Sequence, residues 1–348
     1  MSMEELAGKL KISRQTLSAI INDTWKAKRI SEATYRKTMT LIEKYGYVPH
    51  SSAQHLSKTK RDIIGLIYHG NFFSHISKAV EYLNNYLFDE KIAVNLKMTS
   101  SGALKETVKE LLGERVKKII IINTYDNLAE SIIEENIIPF LQKVRTIIYN
   151  YHFDYEKDKK HKNLLLQNGI SLIGFSRAKI YTELFSKLKN GHYSQLFIEE
   201  SFYYRLKRSY VEDRLFSFFN NVQIYKQAER EKFEFNEFLV GQNLGEQLIN
   251  LLSPTEKTVI ITDSDMVAEG LAKFLTNQRI DIPEHVGLVG FDNLNATSYF
   301  KLPLTTIDVP VKKMIANVIQ LLKEPENTYP IALESDSRIV YRESLIVR

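Results

Sequence analysis

Beyond residue 62 the chain alternates short continuous apolar runs with longer stretches in which apolar residues return every three or four positions. The short runs have the length of buried strands and the longer ones the period of amphipathic helices. Ile63–Tyr68 reads as a strand, Phe72–Phe88 as a helix, Ile92–Met98 as a strand, Ala103–Arg115 as a helix and Lys118–Ile122 as a third strand. A βαβαβ rhythm implies a parallel sheet with right-handed crossovers. A second series begins near Leu164. It comprises strands Ser171–Ile173, Leu196–Ile198, Val222–Ile224, Thr258–Thr262 and Val286–Phe291, with helices at Lys179–Lys189, about Tyr204–Phe219, Glu237–Leu252 and Met266–Asn277. Between the two series, Arg145–Asn168 carries no clear motif, and the EKDKKHK run at 156–162 reads as a solvated loop.

The first sixth of the chain has a different texture. Ser2-Met3-Glu4-Glu5 is an S-x-x-E capping box that opens a short helix through Leu10. Ser13 then caps a second helix whose apolar stripe is Leu17, Ile20 and Ile21, and Ser31 opens a third, stopped by Gly46. Helix, tight turn and helix within about twenty residues is the geometry that presents a DNA-reading helix. Its N-terminal end would offer Arg14, Gln15 and Ser18; Arg suits a guanine edge and Gln an adenine edge. The same pattern also describes any small helical hairpin with polar caps.

Charge separates these readings. Residues 1–61 hold 12 Lys+Arg against 5 Asp+Glu, a net of +7, whereas residues 62–348 are at −2. The basic excess is therefore confined to the helical segment, as expected of a nucleic-acid module. Trp25–Arg29 is its densest stretch, a loop suited to phosphates. The chain has no cysteine, which excludes disulfides and Cys-based metal sites or nucleophiles. Glu4 and Glu5 interrupt the N-terminus with no apolar run behind them, so no signal peptide is expected, and no apolar run reaches the roughly 20 residues of a membrane span. A soluble, cytoplasmic protein without membrane contact is expected.

The runs ISRQTLSAIIN, SEATYRKTMTLIEKYGYVPH and SSAQHLS resemble the headpiece and hinge of the LacI/GalR (lactose-repressor) family of bacterial transcription regulators. Further along, LKNGHYSQLFI, GFDN at 290–293, PLTTI at 303–307 and RES at 342–344 are similar to motifs of the same family, so the resemblance runs end to end. It implies an α/β protein: a three-helix helix-turn-helix headpiece (1–48), a hinge helix and linker (49–60), and a two-lobed periplasmic-binding-protein-like domain (61–348) with parallel sheets. Lobe 1 would comprise about 61–155 plus 302–328, and lobe 2 about 164–300 plus 329–348. It also implies a homodimer, a repressor that binds palindromic operator DNA under the control of a small-molecule effector such as a sugar. Ser13, Thr16, Asn22 and Lys28 would hold phosphates, and the hinge segment with Ala53 and Leu56 would meet the minor groove, Leu56 as a wedge. Ala19, Lys11 and His50 depart from the family's usual arginine, turn glycine and asparagine, so the operator is not expected to be the family's commonest.

Where strands of such a fold empty into the crevice between lobes, an effector would meet Asp292, Arg205, Ser264, and Phe72 and Phe73 as a ring wall. Each has a plainer reading: Ser264 or Asp263 as a helix cap, the phenylalanines as core, Arg205 as one charge on a basic helix face. Ser264 stands where the family has Asn, Asn293 where it has Asp, and the segment after Arg205 is RLKRSY without the family's glycine. Two alternatives therefore stay open: an atypical effector, or a ligand-independent regulator with a vestigial pocket. A solute-binding protein would share the lobes but lack a basic headpiece. G-x-S-x-G, H-E-x-x-H, G-x-x-x-x-G-K-[ST] and G-x-G-x-x-G are all absent and the eight His lack ligand spacing. No enzyme, metal or cofactor is expected.

Overall fold

The computed structural model describes residues 3–21, 23–44, 63–70, 74–99, 102–124, 128–153, 156–200, 203, 219, 221–226, 230–234, 236–325 and 328–347. They fall in two compact units, Met1–Asp62 and Ile63–Arg348. Asn22, Ala53, Leu56, Phe72, Phe73 and Arg205, the hinge segment and the helix expected near Tyr204–Phe219 lie outside the described residues.

The first unit contains α1 (Met3–Leu10), α2 (Arg14–Ile21) and α3 (Glu32–Lys44). The apolar stripes meet in one small core of Leu6, Ala7, Leu17 and Ile42, with Leu10, Ile12, Ile21 and Met39 against it. The α1–α2 turn is closed by Lys11 N–H donating to Gly8 O (3.2 Å) and Ile12 N–H to Ala7 O (3.2 Å). Lys11 sits there at φ 54°, a left-handed conformation in which a side chain costs about 1 kcal/mol that glycine would not incur.

In the second unit, β1 (Ile63–His69), α4 (Ser74–Asp89), β2 (Ala93–Thr99), α5 (Leu104–Gly113) and β3 (Lys118–Asn123) form the expected parallel start. α6 (Leu128–Glu134), α7 (Ile138–Leu141), β4 (Arg145–His152), α8 (Glu156–Gln167), β5 (Ile170–Phe175) and α9 (Arg177–Asn190) follow. Then come β6 (Gln195–Glu199), β7 (Asn221–Tyr225), α10 (Glu237–Leu248), β8 (Thr258–Ile261), α11 (Asp265–Asn277), β9 (Val286–Phe291), β10 (Thr305–Asp308), α12 (Val311–Lys323), β11 (Ala332–Ser335) and β12 (Arg338–Val340). They build two six-stranded sheets, ordered β11-β5-β4-β3-β1-β2 and β12-β10-β9-β8-β6-β7. All neighbours run parallel except β10 and β12. The chain passes between the sheets three times, through α9, α12 and the link from β11 to β12.

Two expectations are corrected here. The stretch without a motif, Arg145–Asn168, is strand β4 followed by helix α8, so the EKDKKHK run is helical and not a loop. The lobe boundaries also shift. β5 joins the first sheet, in register with β4 (Ile148 opposite Leu172), and β11 lies beside it; β10 belongs to the second sheet. A strand buried on both faces has the same apolar run whichever sheet it enters, so periodicity alone does not assign it.

At the β4–β5 pairing the register slips between Tyr149 and Tyr151, with Asn150 at φ 63° in the bulge. Gly174 makes this possible: a Cβ there would overlap the backbone carbonyl of Tyr151. The bulge turns Asn150 inward, where its Nδ2 donates to Asn123 O at 2.8 Å.

Candidate functional site

The candidate readers lie at the start of α2. Ser13 accepts from Thr16 N–H (3.0 Å) and shares a hydrogen bond with the Thr16 hydroxyl (2.8 Å), fixing the start of α2. Arg14 and Gln15, on the first turn of α2, are exposed, and Ser18 one turn on is half-buried. Ala19, between them and the end of the helix, is 7% exposed. The loop before α3 is ordered by Lys28 N–H donating to Thr24 O (3.1 Å) and Ile30 N–H to Trp25 O (3.0 Å). Trp25 stacks on Tyr35 (4.7 Å between centroids), Lys26 lies 5.4 Å from the indole centroid, and Lys28 is exposed.

In the second unit the GFDN, PLTTI and RES motifs converge on one loop, where Asp265 joins them. Asp292 ends β9 at φ 108°, followed by Asn293 at φ 48°. Arg342 of the RES motif donates to Asn293 Oδ1 (2.9 Å) and Leu304 O (2.7 Å). Thr305 of PLTT accepts from Arg342 N–H (2.8 Å) and donates to Arg342 O (3.1 Å); Ser344 donates to Leu288 O (2.8 Å) and accepts from Thr305 N–H (2.7 Å). At the start of α11, Asp265 accepts from Leu294 N–H (2.7 Å) and from the Thr306 hydroxyl (2.5 Å). These bonds clamp the two residues of positive φ, and strain of this kind persists only where the surroundings over-determine it.

Asp265 was not among the expected site residues, yet it is the electrostatic centre of this loop. It is fully buried, and its pKa is pushed up from 3.8 to about 8, first by desolvation and then by the Asp292 charge. The Thr306 hydroxyl, the Leu294 amide and Lys78 pull the other way. Its signal in the sequence was only an acid in the first turn of a helix, which usually reads as a capping preference. Ser264 has the plainer of its two readings. It accepts from Val267 N–H (3.2 Å) as the N-cap of α11 and donates to Glu237 Oε2 (3.3 Å), at 1% exposure.

The first sheet ends at the same level with a second polar set. His69 closes β1, Asn123 closes β3, Asn150 sits in the bulge and Arg177 follows β5; all are buried. Burial holds the His69 pKa below its ordinary value, with the Asn123 hydrogen bond opposing. The Arg177 guanidinium lies 4.3 Å from the Phe175 ring centroid, and Phe175 meets Phe291 of the second sheet at 6.5 Å. Lys78 of α4 donates to Asn293 O (2.9 Å), a second link between the sheets. Arg177 and Phe175 of one sheet thus meet Phe291 of the other, next to Asp292. Periodicity gave no hint of Arg177, which stands beside a helix cap like any surface residue.

Parallel lobes with a crevice at their strand ends are the architecture of periplasmic-binding-protein-like domains, here behind a helix-turn-helix unit. Residues 203–345 match the family described as a periplasmic binding protein-like domain. The chain is 23% identical to the HTH-type transcriptional regulator MalR of Clostridium butyricum, covering 99% of both chains. It is 19% identical to the HTH-type transcriptional repressor PurR of Aliivibrio salmonicida, covering 93% of this chain and 91% of that one. A crystal structure of the lac repressor dimer bound to operator and the anti-inducer ONPF shares the fold, with a TM-score of 0.65 at 17% identity over 99% of this chain and 98% of that one. The resemblance to the LacI/GalR family therefore extends over the whole chain.

Proposed function

We propose that this protein is a dimeric, sequence-specific DNA-binding repressor whose operator affinity is set by a small molecule in the crevice between the two lobes. The observation that carries the reading is the small basic helical unit with Arg14 and Gln15 exposed at the capped start of α2, joined to a clam-shell domain of opposite net charge. Base edges would be read by Arg14, Gln15 and Ser18. Ser13, Thr16, Asn22 and Lys28 would hold backbone phosphates, with Ala53 and Leu56 in the minor groove. In the lac repressor, a relative in fold, the dimer carries operator and anti-inducer together. A dimer is also favoured by edge strand β2, which exposes Val94, Leu96 and Met98 (37, 54 and 64%) along one face.

The effector would contact Asp292, with Arg177 and the Phe175 ring opposite; Arg205, Phe72 and Phe73 complete the expected set. A ligand with different affinity for two lobe arrangements shifts DNA binding by that difference. The cytoplasm is the compartment this reading requires.

Selection of genomic fragments by the purified protein, repeated with sugars and nucleobases, tests the proposal. A palindromic consensus that changes in enrichment with one compound is expected; no consensus at all would sink the DNA-reading claim. Gln15→Ala should lose about 1–3 kcal/mol of discrimination at one base pair of each half-site, whereas equal weakening on all sequences contradicts base reading. Asp292→Ala should abolish the effector response while operator binding persists. The rival reading, a vestigial pocket, is favoured by the commitment of the Ser264 hydroxyl to the α11 cap. It predicts no change in response for Asp292→Ala.

A further inference from the structure

At the opposite end of the first sheet, where β3, β4 and β5 begin, lies a cleft of about 670 Å³ walled by the C-terminal turn of α12. Its volume is in the range of small-molecule sites, about 300–1,000 Å³. Arg115, Lys117, Lys118, Lys143 and Arg145 line it, with Glu324 the one acid among the described residues, in a stretch of chain whose net charge is −2. The inner cations are used by the fold. Arg145 donates to the carbonyls of Leu321 (2.6 Å), Glu324 (2.7 Å) and Pro325, and Lys118 to Leu322 O (2.9 Å), so both complement the negative end of α12. The helix end does not need the outer ones as well, and Arg115 and Lys143 are exposed at the mouth.

Two further features give the cleft a chemistry beyond positive charge. Glu324 Oε2 is shielded from solvent and meets no donor among the described residues. A buried acceptor in that state costs about 1–3 kcal/mol unless a ligand supplies the donor. Tyr329 stands at the rim, 87% exposed.

We propose that this cleft binds an organic phosphate. Arg115 and Lys143 take the phosphoryl group, a hydroxyl or amine of the ligand donates to Glu324, and Tyr329 covers its ring. A duplex backbone fits less well, because it needs cations in a row along an open face. Here they converge on a bounded cleft that has a carboxylate in its wall. The site stands independently of the regulator reading, since its test reads binding alone.

Calorimetric titration of the full chain with adenosine diphosphate, pyrophosphate and adenosine decides the matter. Saturable binding of the diphosphate, weakened tenfold or more by the double variant Arg115→Gln/Lys143→Gln, is expected. Tyr329→Ala should weaken the nucleotide while leaving pyrophosphate unchanged. All three positions are exposed, so circular dichroism should show each variant folded. Absence of saturable binding, or affinity unchanged by the double variant, overturns the proposal. Displacement of the nucleotide by a scrambled duplex overturns it in favour of nucleic-acid backbone.

Discussion

Gly290→Ala is expected to disable the crevice and to destabilise the two-lobed unit by on the order of 3 kcal/mol. A Cβ at this position would overlap Asp265 Oδ1 and come within 2.8 Å of Leu304 Cδ2 and 3.2 Å of Asp265 Cα. The carboxylate has little room to retreat, because Thr306 and the Leu294 amide hold its two oxygens. Overpacking of a buried site costs about 1–3 kcal/mol. Each buried hydrogen bond broken by the displacement adds about 1 kcal/mol. The measurement is urea unfolding followed by two signals. Far-ultraviolet circular dichroism is dominated by the two sheets and their helices and should report the loss. Trp25, the only tryptophan of the chain, lies in the headpiece, and its fluorescence transition should move far less. A variant with an unchanged circular dichroism midpoint would mean that Asp265 is not held as tightly as its bonds imply.

How much of this was legible in advance depends on what kind of information a sequence pattern carries. Burial was legible. Strands β1, β3, β8 and β9 and helices α2 and α11 follow from apolar spacing, because a side chain's tendency to leave water does not depend on its partner. Pairing was not: β5, β10 and β11 were placed with the wrong sheet although their strand character was plain. β4 was missed for a different reason. Its polar residues broke the apolar run, yet three of them are paired inside the fold. Thr146 donates to Leu141 O (2.9 Å), Asn150 to Asn123 O, and Arg145 to the end of α12. α8 was missed because its first half is almost entirely charged and, among its described side chains, only Leu165 near its end is fully buried. The site divides in the same way. Asp292 was visible through a motif, whereas Asp265 and Arg177 acquire their meaning only from neighbours distant in sequence.

Asp265 also makes the stability of the two-lobed unit depend on pH in a direction opposite to that of most carboxylates. Its pKa is raised from 3.8 to about 8, chiefly by burial and secondly by the adjacent Asp292 charge. The folded state therefore holds its proton more tightly than the unfolded chain does. The resulting stabilisation is complete below the unfolded pKa, declines as the pH rises, and is lost once the pH passes about 8. Its upper bound is on the order of 5 kcal/mol; the Thr306 and Leu294 hydrogen bonds, which favour the ionised form, are already included in the raised value. Asp265→Asn replaces the neutral acid with a group of the same shape that does not titrate. Its Oδ1 can accept from the Leu294 amide and its Nδ2 can donate to the Thr306 oxygen. Between pH 5 and pH 8 the urea midpoint should therefore fall for the parent chain and stay nearly level for the variant, which becomes the more stable of the two at pH 8. Parallel declines would show that the Asp265 carboxylate is ionised throughout. Protonation of Asp265 removes one negative charge from the loop that carries Asp292. Effector binding that needs this state should weaken as Asp265 ionises, and Asp265→Asn should remove that pH dependence while the dependence on Asp292 remains.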